Sequence, residues 1–269
     1  MAELRIGISG CAGRMGRMLV AEVAATAGCA LAGGVDSPQS RDLGKDIGEL
    51  AGIGAVGMTA GSDLAALLKI SDAVIEFATP EASVAHAALA AQAKKPLVIG
   101  TTGLDNKAHQ ALIAASKSAP ILWAPNMSLG VNLLLGLVTQ AAKLLGEDYD
   151  IEILEMHHRH KVDAPSGTAL ALGKAAAASR AIDLAAKSQR VRDGITGARK
   201  RGDIGFATLR GGDNAGEHRV IFAAEGEQIE LGHRATSRRV FARGAVAAAQ
   251  WLAGQKPGLY AMKDVLGLG

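Results

Sequence analysis

The chain opens on a pattern that few folds can accommodate. Leu4-Arg5-Ile6-Gly7-Ile8-Ser9 is a short apolar run that passes straight into Gly10-Cys11-Ala12-Gly13-Arg14-Met15-Gly16. From Arg14 to Thr26 the apolar residues Met15, Met18, Leu19, Val20 and Val23 recur at helical spacing. A strand that turns through glycines into a helix continues most simply by a right-handed crossover to a parallel neighbour. The alternation then repeats, with strands predicted at 30–35, 72–77, 97–100 and 121–123 and a helix opened by Pro80. Residues 37–62 are glycine-rich and weakly periodic. The expectation is an α/β chain whose first part is a Rossmann-like, parallel-sheet nucleotide domain.

Beyond residue 127 the rhythm changes. A helix is predicted at 129–146, a strand at 149–157 and a helix from about Thr168. Three strands at 206–210, 219–224 and 228–234 then read as an antiparallel meander. A closing helix follows at 238–252. These shifts predict a smaller α+β domain at 128–237 with a mostly antiparallel sheet. Residues 1–127 and 238–269 would form the dinucleotide-binding domain.

Composition narrows the setting. Aromatic residues are 3% of the chain against 49% apolar, so aliphatic side chains must fill the core. The net charge of +3 comes without a basic stripe or nucleic-acid motif, so no nucleic-acid partner is expected. The basic stretch from Lys187 to Arg201 reads as a solvated loop or a phosphate-binding loop. Two cysteines, Cys11 and Cys29, make no disulfide framework. The start of the chain shows no signal-peptide pattern, which points to the cytoplasm. The apolar stretch 129–145 is broken by Asn132, Thr139, Gln140 and Lys143, so a buried or amphipathic helix is expected there, with no membrane partner.

The glycine loop suits a dinucleotide. Glycines let backbone N–H groups approach a pyrophosphate, and the helix N-terminus adds about half a positive charge. Its spacing is G-x-x-G-x-x-G rather than the commoner G-x-G-x-x-G, and a tight strand-to-helix turn needs glycines in any case. Asp36, at the end of the second strand, is placed to accept hydrogen bonds from a ribose and to repel a 2′-phosphate. Ser37 follows where an arginine would have favoured NADPH. Arg14 lies close enough to offset part of that repulsion, so NADH preference with dual use is expected. Gly100-Thr101-Thr102-Gly103 and Ala124-Pro125-Asn126-Met127 follow later strands, where α/β sheets bind ligands. The former could equally be a turn with a threonine cap, and Asn126 could orient a nicotinamide or a hinge.

The densest chemistry lies in Glu155-Met156-His157-His158-Arg159-His160-Lys161-Val162-Asp163-Ala164-Pro165-Ser166-Gly167-Thr168. Three of the chain's seven histidines fall here. On an extended strand His158 and His160 would share one face and His157 the other, which is poor geometry for a three-histidine metal site. No metal is expected. A solvated structural cluster and a proton-transfer site remain open. Histidine titrates near neutral pH, and a lysine beside a helix start attracts carboxylates.

This segment, with Gly10–Gly16, Gly100–Gly103, Ala124–Asn126, Arg210-Gly211-Gly212, Gly216-Glu217-His218 and Glu230-Leu231-Gly232-His233, resembles the 4-hydroxy-tetrahydrodipicolinate reductase (dihydrodipicolinate reductase) family over nearly the full length. The resemblance implies hydride transfer from NAD(P)H to a cyclic imine dicarboxylate in lysine and diaminopimelate biosynthesis, with water lost. It implies a homotetramer built through the substrate-domain sheets. It places the proton donor on His157, a further catalytic role on Lys161, and substrate binding on His158, Lys161, Gly167 and Thr168. Cofactor contacts would come from Gly10, Cys11, Ala12, Gly13, Arg14, Met15, Asp36, Ser37, Gly100, Thr101, Thr102, Ala124, Pro125, Asn126 and Met127. His160 could bind substrate or support the loop, and Arg159 faces solvent. Many members carry an acidic–arginine pair where this chain has Asp36-Ser37. An aspartate-semialdehyde dehydrogenase would need a thiolate at 128–237, where there is no cysteine. A non-catalytic dinucleotide sensor would bind NADH without oxidising it.

Overall fold

A computed structural model describes residues 2–268. It divides into two compact units. The first runs to Leu129 and resumes at Arg239, and the second is Gly130–Arg238.

The first unit is laid down as β1 (Leu4–Ser9), α1 (Arg14–Ala25), β2 (Cys29–Val35), α2 (Ile47–Ala51), β3 (Ala60–Gly61), α3 (Leu64–Ile70), β4 (Ala73–Glu76), α4 (Pro80–Ala93), β5 (Leu97–Ile99), α5 (Asn106–Ser116) and β6 (Pro120–Trp123). Side-chain caps start several of these helices: Asp63, Thr79 and Asp105 each accept a first-turn N–H. Strand side chains alternate between two helical layers. Ile6, Ile8, Ile75, Val98 and Leu122 pack on one face with Leu19 and Val23 of α1. Val74, Leu97, Ile99 and Ile121 pack on the other with Leu67, Ala87 and Leu112.

The second unit holds most of α6 (Leu129–Leu145), then β7 (Asp150–His157), α7 (Gly167–Ser179), α8 (Leu184–Lys187), β8 (Ser188–Gln189), β9 (Ile204–Arg210), β10 (Gly216–Ala224) and β11 (Glu227–Ala235). The chain then returns to the first unit as α9 (Arg239–Leu252), β12 (Gly258–Tyr260) and α10 (Met262–Val265).

The first sheet has the order β12-β6-β5-β4-β1-β2-β3 and is parallel throughout. β12, which the sequence reading left out, adds a strand beside β6. The order reverses between β1 and β4, and such a switch point leaves a crevice at the strands' carboxyl ends. The Rossmann-like expectation holds. The second sheet has the order β11-β10-β7-β9-β8. Its longest ladder, β10–β11, and the β7–β10 ladder are antiparallel, whereas β7–β9 and β8–β9 are parallel. The expected three-strand meander is therefore corrected. β9 and β10 do not pair with each other but flank β7 on opposite sides.

Burial along β7 alternates strictly, with Ile151, Ile153, Glu155 and His157 on the covered face. Leu172, Ala176 and Ala177 of α7 and Leu134, Val138 and Ala142 of α6 join Ile151, Ile153, Phe206, Val220 and Phe222 in one core. By length and composition alone the helical stretch Leu129–Asp148, α6 with the turn that follows it, could cross a bilayer. Phe222 is fully buried at the centre of this core. Phe222→Ala is expected to lower stability by about 3–5 kcal/mol, seen as a lower urea midpoint, and a change below about 1 kcal/mol would contradict the packing.

Candidate active site

In the first unit the glycine loop closes over the end of β2. Gly10 and Cys11 donate backbone N–H bonds to Val35 O at 2.8 and 3.1 Å. Gly10 has a φ of +79°. A Cβ at Gly16 would lie 1.9 Å from Gly10 O, so only glycine lets the first helix turn pass beneath the loop. Asp36 ties the two parts together, accepting from Ala12 N through Oδ2 and from Ser37 N through Oδ1, both at 2.8 Å.

Two cavities open at the switch point. One, of about 470 Å³, is lined by Gly10, Gly13, Asp36, Ser37, Thr79 and His86. The other, of about 520 Å³, is lined by Gly13, Arg14, Met15, Gly100, Thr101, Thr102, Pro125, Asn126 and Met127. Gly13, Phe77 and Ala78 border both, so together they form one elongated trough across the strand ends. The lobe holding Asp36 suits an adenosine. The lobe holding Asn126 and Thr102 suits the opposite end of a dinucleotide.

Not every expected residue presents its side chain to the trough. Cys11 is fully buried, packed beside Gly34, and its thiol is pushed up to about 11 first by burial and then by Asp36. Ala124 lies in the core beneath the strand ends. Arg14 borders the lobe remote from Asp36, so the compensation expected of it at the ribose is not what this placement offers.

Glu76, at the end of β4, is a residue the sequence reading missed. It is fully buried, and its Oε1 accepts from Ser83 Oγ at 2.6 Å and Thr101 Oγ1 at 3.1 Å, with His86 Nδ1 3.3 Å from Oε2. This carboxylate fastens the start of α4 and the Thr101 loop on either side of the trough. An acid closing the apolar run Ala73-Val74-Ile75-Glu76 was the available signal.

In the second unit the chemistry gathers at the end of β7. Strand periodicity puts Glu155 and His157 on the same covered face. Glu155 Oε2 lies 2.6 Å from His157 Nδ1. Register brings Thr208 of β9 and His218 of β10 beside Glu155, and Arg210 of β9 beside His157. Arg210 grips the carboxylate with both Nη atoms, at 2.8 and 2.9 Å. Ser166 N donates to Oε1 at 3.0 Å, while Ser166 Oγ caps α7 at Ala169 N and meets His218 Nε2 at 3.0 Å. Burial pushes Glu155 up, but bonds from Arg210, His157 and Ser166 more than offset this, and the carboxyl titrates below its ordinary range. Burial holds His157 below the usual histidine value, against the pull of Glu155. His218 falls to about 4, chiefly through burial and then through His157.

The strand stops at His157, which corrects the expectation that His158 and His160 share a strand face. His158 N bonds to Asn214 O at 2.8 Å, Arg159 and His160 form an exposed turn, and Lys161 N closes it onto His158 O at 3.1 Å. His158 Nε2 lies 3.3 Å from Arg238, and its ring centroid lies 6.2 Å from that of His160. Lys161 Nζ pairs with Asp163 at 2.7 Å. Gly167 and Thr168 form the first turn of α7, where backbone N–H groups point out of the helix start. Among the described residues no group of three or more His, Cys, Asp or Glu is arranged to hold a metal ion.

Comparison with known proteins decides the family. The profile described as "Dihydrodipicolinate reductase, N-terminus" matches residues 4–127, and "Dihydrodipicolinate reductase, C-terminus" matches residues 130–266. The chain belongs to the dihydrodipicolinate reductase family. It is thus a reductase that works with a nicotinamide cofactor. It is 54% identical to the 4-hydroxy-tetrahydrodipicolinate reductase of Afipia carboxidovorans over 100% of this chain and 99% of that one. It is 55% identical to that of Parvibaculum lavamentivorans over 99% of each. A dipicolinate-bound dihydrodipicolinate reductase from Paenisporosarcina sp. TG-14 shares the fold, with a TM-score of 0.78 at 23% identity over 96% of this chain and 97% of that one.

Gly16→Ala places a methyl group against loop backbone. It is expected to weaken NADH binding by about tenfold or more, equivalent to about 1.4 kcal/mol, in a fluorescence titration; unchanged affinity would mean the loop does not cradle the cofactor.

Proposed function

We propose that the chain reduces 4-hydroxy-tetrahydrodipicolinate to tetrahydrodipicolinate in lysine and diaminopimelate biosynthesis, with His157 as proton donor and Lys161 with the start of α7 as the carboxylate clamp. The observation that carries this assignment is the clustering, within one unit, of a buried imidazole, an ammonium and a helix N-terminus. The first unit fits a dinucleotide through its glycine loop, the Asp36 carboxylate and the trough.

The bound reduced nicotinamide supplies the hydride. Its addition to the conjugated ring leaves an electron-rich carbon that must gain a proton. His157 in its charged form gives that proton from Nε2: the N–H bond breaks, its electron pair stays on nitrogen, and a C–H bond forms on the substrate. A positioned general acid of this kind is worth about 10²- to 10⁴-fold. Lys161 offers a point charge to one substrate carboxylate, and the Gly167 and Thr168 N–H groups offer dipoles to the same anion. Lys161 can also return a proton to the site. His158, beside Arg238, adds donors at the rim.

NADH is the preferred cofactor in this reading. Asp36 lines the lobe fitted to the ribose, and a carboxylate there repels a 2′-phosphate. Arg14 borders the other lobe, so the residual use of NADPH rests on weaker compensation. Exposed Leu209 and Ile229 on the second sheet support a homotetramer assembled through that sheet. The cytoplasm is the proposed compartment.

The deciding assay is loss of absorbance at 340 nm when the purified chain meets the freshly made condensation product of pyruvate and aspartate semialdehyde. No oxidation of NADH would sink the assignment and favour a dinucleotide sensor. His157→Gln is expected to lower kcat by about 10²-fold or more with little change in NADH affinity, and Lys161→Ala to raise KM and lower kcat together. Wild-type kinetics in either variant would remove that residue's role. Separately, KM for NADPH should exceed that for NADH in the wild type and approach it in Asp36→Ala; a wild-type preference for NADPH would overturn the cofactor reading.

A further inference from the structure

We infer that Glu155 is a positioning residue for the reduction: it fixes the His157 imidazole with Nδ1–H on the carboxylate, leaves Nε2 as the proton-giving atom, and ties that orientation to the start of α7. This inference rests on the reading of His157 as proton donor, and it extends that reading to a residue that does not touch the substrate.

Hydrogen-bond accounting comes first. Both Glu155 oxygens are surrounded by donors. Oε2 receives Arg210 Nη1 at 2.8 Å and faces His157 Nδ1 at 2.6 Å, while Oε1 receives Arg210 Nη2 at 2.9 Å, Ser166 N at 3.0 Å and Thr208 Oγ1 at 3.3 Å. An ionised carboxylate only accepts, so Nδ1 must carry the hydrogen that points at it. Nε2 is then the one ring nitrogen whose proton comes and goes. On that side of the ring stands Gly216, where a Cβ would come within 3.0 Å of Nε2. Glycine keeps this approach open.

Electrostatics come second. The groups facing His157 are Glu155 on its own strand, Lys161 from the following loop, Arg210 from β9 and His218 from β10. Lys161 and Arg210 disfavour an imidazolium, as does burial. His218 sits edge-on at 5.1 Å, its pKa held to about 4 chiefly by burial, with its Nε2 3.0 Å from Ser166 Oγ. Of the four facing groups, Glu155 alone is anionic and stabilises the charged ring.

The carboxylate also reaches the anion clamp. Ser166 is the N-cap of α7, its N–H is held by Glu155, and it immediately precedes Gly167 and Thr168. One buried side chain thus sets both the donor's orientation and the place where a substrate carboxylate would dock.

The test is Glu155→Gln, which keeps shape and removes charge. A proton donor loses activity as pH rises through its pKa. Without its anionic partner His157 should deprotonate earlier, moving the high-pH fall of kcat down by about one pH unit. NADH affinity should not change. Glu155→Asp restores charge with shorter reach and should recover part of the shift. Nitrogen-15 NMR of the wild-type holoenzyme should show neutral His157 as the Nδ1–H tautomer, and this measurement stands even if the variants fail to fold. A wild-type ring in the Nε2–H form, or a folded Glu155→Gln chain with an unmoved pH profile, would overturn the inference. If instead His157→Gln kept full turnover while the Nδ1–H tautomer was confirmed, the donor assignment would fall and the positioning geometry would remain without its catalytic purpose.

Discussion

A carboxylate buried on the covered face of a sheet is tolerated as an ion only when donors replace the water it has lost. Glu155 is such a group, and the second unit is organised around meeting its needs. Arg210 reaches across from β9, Ser166 N–H comes from the start of α7, and His157 shares its strand face. Because these three donors come from different elements, satisfying one carboxylate fixes a strand end, a neighbouring strand and a helix start together. Removing any single partner would leave the others facing an uncompensated charge. The candidate side chains are therefore held in place by the same bonds that make the unit's interior polar centre stable.

The first unit solves a matching problem with different means. There the backbone does most of the recognition: a parallel sheet whose order reverses at β1 and β4, a glycine loop crossing that point, and a helix N-terminus beneath it. Glu76 plays a supporting part that parallels Glu155. It is fully buried and joins Ser83 on α4 to Thr101 beyond β5, bracing the loops that border the trough. In both units a buried acid at a strand's carboxyl end stiffens loops that must be exposed to do chemistry, which is how mobile connections acquire fixed geometry.

How much of this could be read from the residues depends on how local the cause is. The glycine loop, the strand–helix alternation and the Ser166 cap are written in short stretches, because turn chemistry and periodicity act over a few residues. The pairing of β9 was misread because it follows no local rule. β9 and β10 adjoin in sequence and look like a hairpin, yet each pairs with β7 and they never pair with each other. β12 is three residues long and gains its strand character only from β6. Glu155 is the instructive omission. A spacing of two on a strand places it with His157, and the pattern was visible. The alternation that would set His158 and His160 on one face does not apply, because the chain turns at His158 as Lys161 N bonds back to it.

The role proposed for His157 sets two requirements against each other. A proton donor must be charged to act, yet excluding water from the reacting carbon requires burial, and burial disfavours charge. Lys161, the proposed anion clamp, and Arg210, which holds Glu155, add to the same penalty. His218 shows the outcome when the ring is more deeply buried and no carboxylate bonds to it: it is neutral down to about pH 4, with Nε2 against the Ser166 hydroxyl. His157 differs from it by shallower burial and by a hydrogen bond to Glu155. A doubly charged substrate settling at Lys161 and α7 would add negative potential beside the ring and raise its proton affinity further. In the proposed reaction, protonation of His157 is then greatest when the substrate is in place, so the proposed acid is armed by the molecule it acts on rather than standing charged in an empty site.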